Sequence, residues 1–328
     1  MRPILGLAAL LLWGGAAAAL EPPEFLYSFG RTGSGLGFMR GPGGVARDAS
    51  GLFYVAEIRG HRVQVFDSLG TGLRTWGGRG AAPGQFAGPS DIVIDDQERV
   101  WVSDRDNGRL QWFTLAGEFL GELGASQGVP FDSPGGLGLD PPGVHLFVSD
   151  VGNSKIFKLD ISGQTPRLVM SFGELGAEAG QLAAPTDVAV SPRGEIHVVE
   201  FLTSRVQIFS ETGAFRFAFG FAGDAPGRFA APSGVTVDSE GRIYVVDTYN
   251  SRVQVFERKG HFLFEFGREG TKLERLNEPT RMILTPDGLL VLCDADEAEH
   301  SDRVVIFSWP TAVRKKSWTD VRSLFRGR

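Results

Sequence analysis

Between residues 25 and 309 the apolar positions fall in short runs separated by Gly, Pro, Asp, Asn and Ser. The stretch from 234 to 266 is representative. It reads Gly234-Val235-Thr236-Val237-Asp238, Arg242-Ile243-Tyr244-Val245-Val246-Asp247, Arg252-Val253-Gln254-Val255-Phe256 and Phe262-Leu263-Phe264-Glu265-Phe266. Each run has strand length, is rich in β-branched or aromatic residues, and is bounded by turn formers. Nothing between the runs carries the spacing of an amphipathic helix. The pattern predicts an all-β chain of short strands joined by tight turns.

The same pattern recurs along the chain. An aromatic or leucine followed by glycine appears at Phe29-Gly30, Trp76-Gly77, Leu123-Gly124, Phe172-Gly173, Phe219-Gly220 and Phe266-Gly267, with glycine spacings of 47, 47, 49, 47 and 47. Prolines 42, 89, 134, 185, 232 and 279 open an apolar run in each copy, and Glu57, Asp104, Asp150, Glu200, Asp247 and Asp294 close the next one. Four strands per copy at this period is the pattern of propeller blades, and six copies account for nearly all of residues 20–310. The sixth copy ends after its third strand, whereas Phe25 to Gly30 reads like a fourth. The N-terminal strand is therefore expected to complete blade six and close the ring.

The motifs G-V-x-V-D, G-x-I-Y-V-V-D, N-x-R-V-Q-V-F and the terminal F-G resemble the NHL repeat family of six-bladed propellers over about residues 25–309. The resemblance implies the fold but no single activity. NHL propellers bind protein or RNA, and related propellers are lyases or lactonases.

Composition narrows the partner. The 45 glycines and 18 prolines fit many turns, and the 42% hydrophobic content excludes a disordered chain. A net charge of −6 argues against nucleic acid. Met1 to Ala19, with Arg2, an apolar run from Ile4 to Trp13 and terminal small residues, reads as a secretory signal peptide. The expected location is then secreted or periplasmic, with no transmembrane segment after cleavage. Cys293 is the single cysteine, so no internal disulfide can form. Residues 311–328 form a basic tail, six bases against Asp320 from Arg314 onward, that could dock on the acidic disc or touch an anionic surface.

A feature present in every blade is most economically structural. The base five residues after each acid (Arg62, Arg109, Lys155, Arg205, Arg252; Arg303 nine after Asp294) is expected to pair with it across the turn. Gln64, Gln207 and Gln254 are expected to make inter-blade hydrogen bonds. Function should lie where the copies differ. Candidate partner-binding residues are the large apolar Phe201, Leu202 and Tyr249 on the turns of blades four and five, and Arg59, His61 and Arg105 on those of blades one and two. The expected partner is an extracytoplasmic protein or peptide.

The alternative is a metal-dependent propeller enzyme. Amidating-lyase propellers hold zinc with histidines in several turns, and only His61 occupies such a position here by register; His300 lies in the acidic blade-six turn, Asp294 to Asp302, which is four residues longer than the others. Lactonase-like propellers hold calcium in the channel, where Asp91 and Asp187 are expected as solvated residues able to share a ligand. No cofactor is expected, with calcium or zinc belonging to the enzyme alternative.

Overall fold

The computed structural model describes residues 21–268, 273–295 and 301–309. The expected signal peptide, the basic tail and the centre of the acidic blade-six turn with His300 lie outside the described residues. The rest forms six four-stranded antiparallel sheets arranged as the blades of a propeller. Blade one consists of Pro42–Arg47, Phe53–Glu57, Arg62–Phe66 and Gly72–Gly77, taken from the axis outward, and the next four blades follow the same order. In blade six, Pro279–Leu284, Leu289–Asp294 and Arg303–Ser308 are completed by Glu24–Phe29, which pairs antiparallel with the third strand. The ring closes as the sequence pattern predicts. Helix among the described residues is limited to three single 3₁₀ turns, at Arg105–Asn107, Ala125–Gln127 and Thr248–Asn250, and no helix there is long and apolar enough to cross a membrane.

The run patterns follow from this geometry. A second strand has a neighbouring blade on each face, so both of its side-chain sets are buried and it reads as continuously apolar: Phe53–Glu57, Val100–Asp104 and Ile243–Asp247 are buried at every position. Outer strands meet solvent, and Gly72–Gly77 alternates between partly buried and exposed. The buried apolar residues divide into six clusters, each between two adjacent blades. Trp101, Leu110 and Trp112 of blade two pack with Leu137, Leu146 and Phe157 of blade three. Phe29, Val291 and Ile306 of blade six pack with Val45, Phe53 and Phe66 of blade one. Stability is thus a sum of nearest-neighbour interfaces, and the N-terminal strand adds Phe29 to the interface of blades six and one and Phe25 to that of blades five and six.

One register position in the second strands has a partner that blade four lacks. The Tyr54 hydroxyl donates to Asp48 (3.0 Å), the Trp101 indole N–H to Asp95 (2.8 Å) and the Tyr244 hydroxyl to Asp238 (3.0 Å). Each acceptor lies six residues earlier. His197 holds this position in blade four, and six residues before it stands Ser191. His197 is fully buried with no hydrogen bond to either ring nitrogen. Burial pushes its pKa from 6.5 down to about 4, Glu195 opposing the shift and Arg258 adding to it. The folded chain therefore resists a proton that the unfolded chain takes up below 6.5. Stability present above pH 6.5 is lost as pH falls toward 4, by about 3 kcal/mol at full protonation. His197→Phe, matching Phe147 in blade three, should remove this loss, and urea unfolding of both proteins at pH 7.5 and 4.5 measures it. Equal acid sensitivity of the two proteins would contradict the assignment.

Candidate functional site

The repeated acids are clamps. Each sits at the end of a second strand and faces the loop that leads into its own blade. Glu57 accepts the Arg40 backbone N–H (2.9 Å), Asp104 that of Ala87 (2.6 Å), Glu200 that of Ala183 (3.1 Å), Asp247 that of Ala230 (2.7 Å) and Asp294 that of Asn277 (2.9 Å). Arg109 donates to Asp104 at 2.8 Å and Arg252 to Asp247 at 2.7 Å; Nη1 of each donates to a second carboxylate, Glu122 and Glu265, and Nη2 to loop carbonyls, Ala82 and Gln85 for the first, Ala225 and Arg228 for the second. The pairing thus reaches beyond the turn, across 24 to 27 residues of chain.

The glutamines belong to the same clamp. Gln254 accepts from Gly227 N–H (2.8 Å) and donates to Arg228 carbonyl and Asp247. Gln64 and Gln207 do the same in their blades, and Gln111 is a fourth member. Blade three departs from the pattern: Lys155 replaces the arginine and Phe157 holds the glutamine position, although Asn153 donates to Asp150 (3.1 Å) as Asn107 and Asn250 do to Asp104 and Asp247. Burial raises Glu57, Asp104 and Asp294, while the clamp hydrogen bonds and arginines pull them back.

With the turns fixed, their variable side chains define the loop face. Phe201 and Tyr249 come together across blades four and five as an edge-to-face pair, ring centroids 6.2 Å apart. Tyr249 is 66% exposed and Leu202 68%, whereas Phe201 is half-buried. The backbone N–H of each exposed residue is anchored, Leu202 to Ala183 and Tyr249 to Ala230. The inter-blade loops therefore support this ridge from the side and leave its top open.

The polar candidates lie across the disc, on blades one and two. Arg59 pairs with Asp302 at 2.9 Å and Arg105 with its neighbour Asp106 at 3.0 Å. The His61 backbone is left-handed (φ 52°), and its Nδ1 accepts the Gly88 N–H at 3.1 Å. These three residues are not brought to Phe201, Leu202 and Tyr249. Of the other histidines, His145 pairs with Asp140 at 2.7 Å and His261 is exposed beside Glu257. Among the described residues no three His, Cys, Asp or Glu side chains group as a metal site would require.

The channel corrects one expectation. Asp91 and Asp187 are not solvated: they are 6% and 4% exposed and share a residue that the sequence reading missed, Arg281 of blade six, whose Nε stands 3.7 Å from a carboxylate oxygen of each. The third position of each inner strand runs Gly44, Asp91, Gly136, Asp187, Gly234, Arg281, so glycine alternates with charge around the axis. Sterics explain the alternation. A Cβ at Gly44 would lie 2.2 Å from Asp91 Oδ1, and one at Gly136 2.0 Å from Asp187 Oδ1.

This fold is that of a six-bladed β-propeller. NHL repeats are matched at residues 39–66, 86–113 and 229–256, so blades one, two and five of the propeller carry NHL repeats. It is 37% identical over 87 residues to a probable peptidyl-alpha-hydroxyglycine alpha-amidating lyase, pgal-1, of Caenorhabditis elegans, covering 25% of this chain and 24% of that protein. It is 30% identical over 137 residues to Protein brain tumor of Drosophila melanogaster, covering 41% of this chain and 12% of that one. The chain thus spans well under two thirds of either relative. Among solved structures, a protein of unknown function from Bacteroides thetaiotaomicron superposes with TM-score 0.68 at 17% identity, over 88% of this chain and 76% of that one. Virginiamycin B lyase from Staphylococcus aureus gives TM-score 0.56 at 15% identity, over 82% and 94%. At these identities the likeness is one of fold.

The clamp makes a quantitative prediction. Arg252 and Asp247 are fully buried, so Arg252→Ala leaves an unpaired carboxylate and orphaned loop carbonyls. It should cost about 3–5 kcal/mol in urea unfolding, against less than about 0.5 kcal/mol for Arg167→Ala, whose arginine is 77% exposed. Similar losses for the two variants would refute the structural role of the clamp.

Proposed function

We propose that the chain is an exported, non-catalytic docking platform that binds an extracytoplasmic protein or peptide through the loop face. The observation that supports this reading is the ridge of Phe201, Leu202 and Tyr249. Two large, mostly exposed side chains and an aromatic pair stand on backbone that is itself hydrogen-bonded in place. Exposed apolar groups on rigid backbone lose little conformational freedom when covered, which is the physics of an interface anchor. The matching partner is an extended segment with aliphatic or aromatic side chains. Arg59, His61 and Arg105 form a polar rim across the disc, with their existing partners limiting what they add.

The enzyme reading keeps one specific support, the 37% identical stretch shared with the protein named as an amidating lyase. Metal chemistry on this chain would need ligands recruited around His61. Its Nδ1 is engaged by Gly88 N–H, which leaves Nε2 as the ligand atom. Elemental analysis of protein purified without chelator separates the readings. The platform predicts no stoichiometric zinc or calcium, and about one ion per chain would favour the enzyme.

The platform itself is tested by selecting peptides on the wild-type protein and titrating the best binder calorimetrically against two variants. Phe201→Ala and Tyr249→Ala should each weaken binding about tenfold or more while leaving the unfolding midpoint unchanged. Unaltered affinity in both variants would remove the ridge from the binding site.

A further inference from the structure

The inner strands enclose a cavity of about 340 Å³ on the axis. Its lining starts at Asp91, Asp187 and Arg281 and runs away from the loop face. Ile92, Leu137, Val188, Val235 and Met282 follow on the wall, and Ile94, Leu139, Val190, Val237 and Leu284 form the far rim with Arg47. Arg47 is paired with Asp287 at 2.8 Å, so the rim carries no excess charge. At about 3.3 Å per residue, the three-residue step from charged floor to rim is roughly 10 Å deep.

The floor is not electrically balanced. Two carboxylates face one guanidinium, and that guanidinium is tied elsewhere: its Nη atoms donate to the Ser233 and Thr186 carbonyls (the second at 2.6 Å). Its Nε, 3.7 Å from each carboxylate, has no hydrogen-bond partner. Asp91 Oδ2 accepts the Leu137 N–H at 2.8 Å and Asp187 Oδ2 the Val235 N–H at 2.9 Å, which leaves further lone pairs on both groups. A channel walled mostly by aliphatic side chains, with Thr236 among them, ends in a floor where two carboxyl groups face one guanidinium and spare acceptors remain.

We propose that the channel binds a linear aliphatic primary ammonium ligand, which enters from the face opposite the loops, lies along the aliphatic wall and donates its protons to Asp91 and Asp187. A carboxylate ligand has the wrong sign, and an alcohol brings a single donor and no charge. The titration behaviour of the floor agrees. Burial pushes Asp91 up to about 7, with Arg281 lowering it and Asp187 raising it, and Cys293 is the other titratable group coupled to it. A bound ammonium takes over the charge balance that a proton otherwise supplies.

The test uses the full chain and n-hexylammonium, whose length roughly matches the channel, with hexanoate and 1-hexanol as controls. Calorimetry should give one site for the amine, at least tenfold tighter than for the alcohol, and no binding of hexanoate. Nα-acetyl-lysine methylamide presents the same ammonium on a peptide backbone, and its affinity relative to the free amine distinguishes a peptide side chain from a small amine as the source. Asp91→Asn with Asp187→Asn keeps a side-chain oxygen to accept the Leu137 and Val235 N–H groups and should lower amine affinity tenfold or more. Val237→Trp should block the mouth while leaving the floor intact, and circular dichroism checks the fold of each variant. The proposal is overturned if neither amine binds the wild-type protein, if hexanol or hexanoate binds as well as hexylammonium, or if the folded variants retain wild-type affinity.

Discussion

The buried acid at the end of each second strand is the contact on which the rest of this molecule depends. It accepts a backbone N–H from the loop entering its blade, in five blades holds the arginine that satisfies carbonyls of that loop, and in four blades holds a glutamine that completes the set. Loops of ten or so residues without regular structure carry many unpaired backbone groups. At the junction of two blades those groups would be partly buried, where each unpaired one costs about 1–3 kcal/mol. In blades one, two, four and five, one carboxylate, one guanidinium and one amide satisfy several of them. Positions of the loop-face side chains are therefore set by buried ionic contacts that are invisible from the surface.

The ring was legible in the sequence because its signals are additive. Six copies of proline, acid, base and Phe-Gly in register leave no other arrangement of four strands each, and the shortfall of one strand at the C-terminal end matched the surplus at the N-terminal end. The partners of the clamp were harder to read. Spacing suggested a contact across the five-residue turn, yet Nη2 of Arg109 and of Arg252 goes to carbonyls 24 to 27 positions earlier, a distance that no local rule supplies. Arg281 was missed for a related reason. Read copy by copy, Gly44, Gly136 and Gly234 are unremarkable strand residues, and only reading the third inner-strand position around the ring reveals that Gly44 and Gly136 make room for Asp91 and Asp187 and that Arg281 completes the alternation.

These features divide the disc between two tasks. On the loop face, side chains that differ between blades stand on backbone that does not, so Phe201, Leu202 and Tyr249 can vary without cost to the blades. Along the axis, a crossing of blades two, four and six by three charged groups separates the loop face from the aliphatic channel. His197 illustrates the same economy in reverse: a copy that lost its acceptor at Ser191 keeps a buried ring at the price of acid sensitivity.

The central claim is that the carboxylate clamps, and not local turn propensity, hold the loop face. Hydrogen–deuterium exchange of the loop amides that donate to the acids, those of Arg40, Ala87, Ala183, Ala230 and Asn277, tests it most directly. These amides should exchange as slowly as the second-strand amides, opening only when the blades unfold. Exchange at the rate of the exposed outer turns, with the strands still protected, would contradict the account.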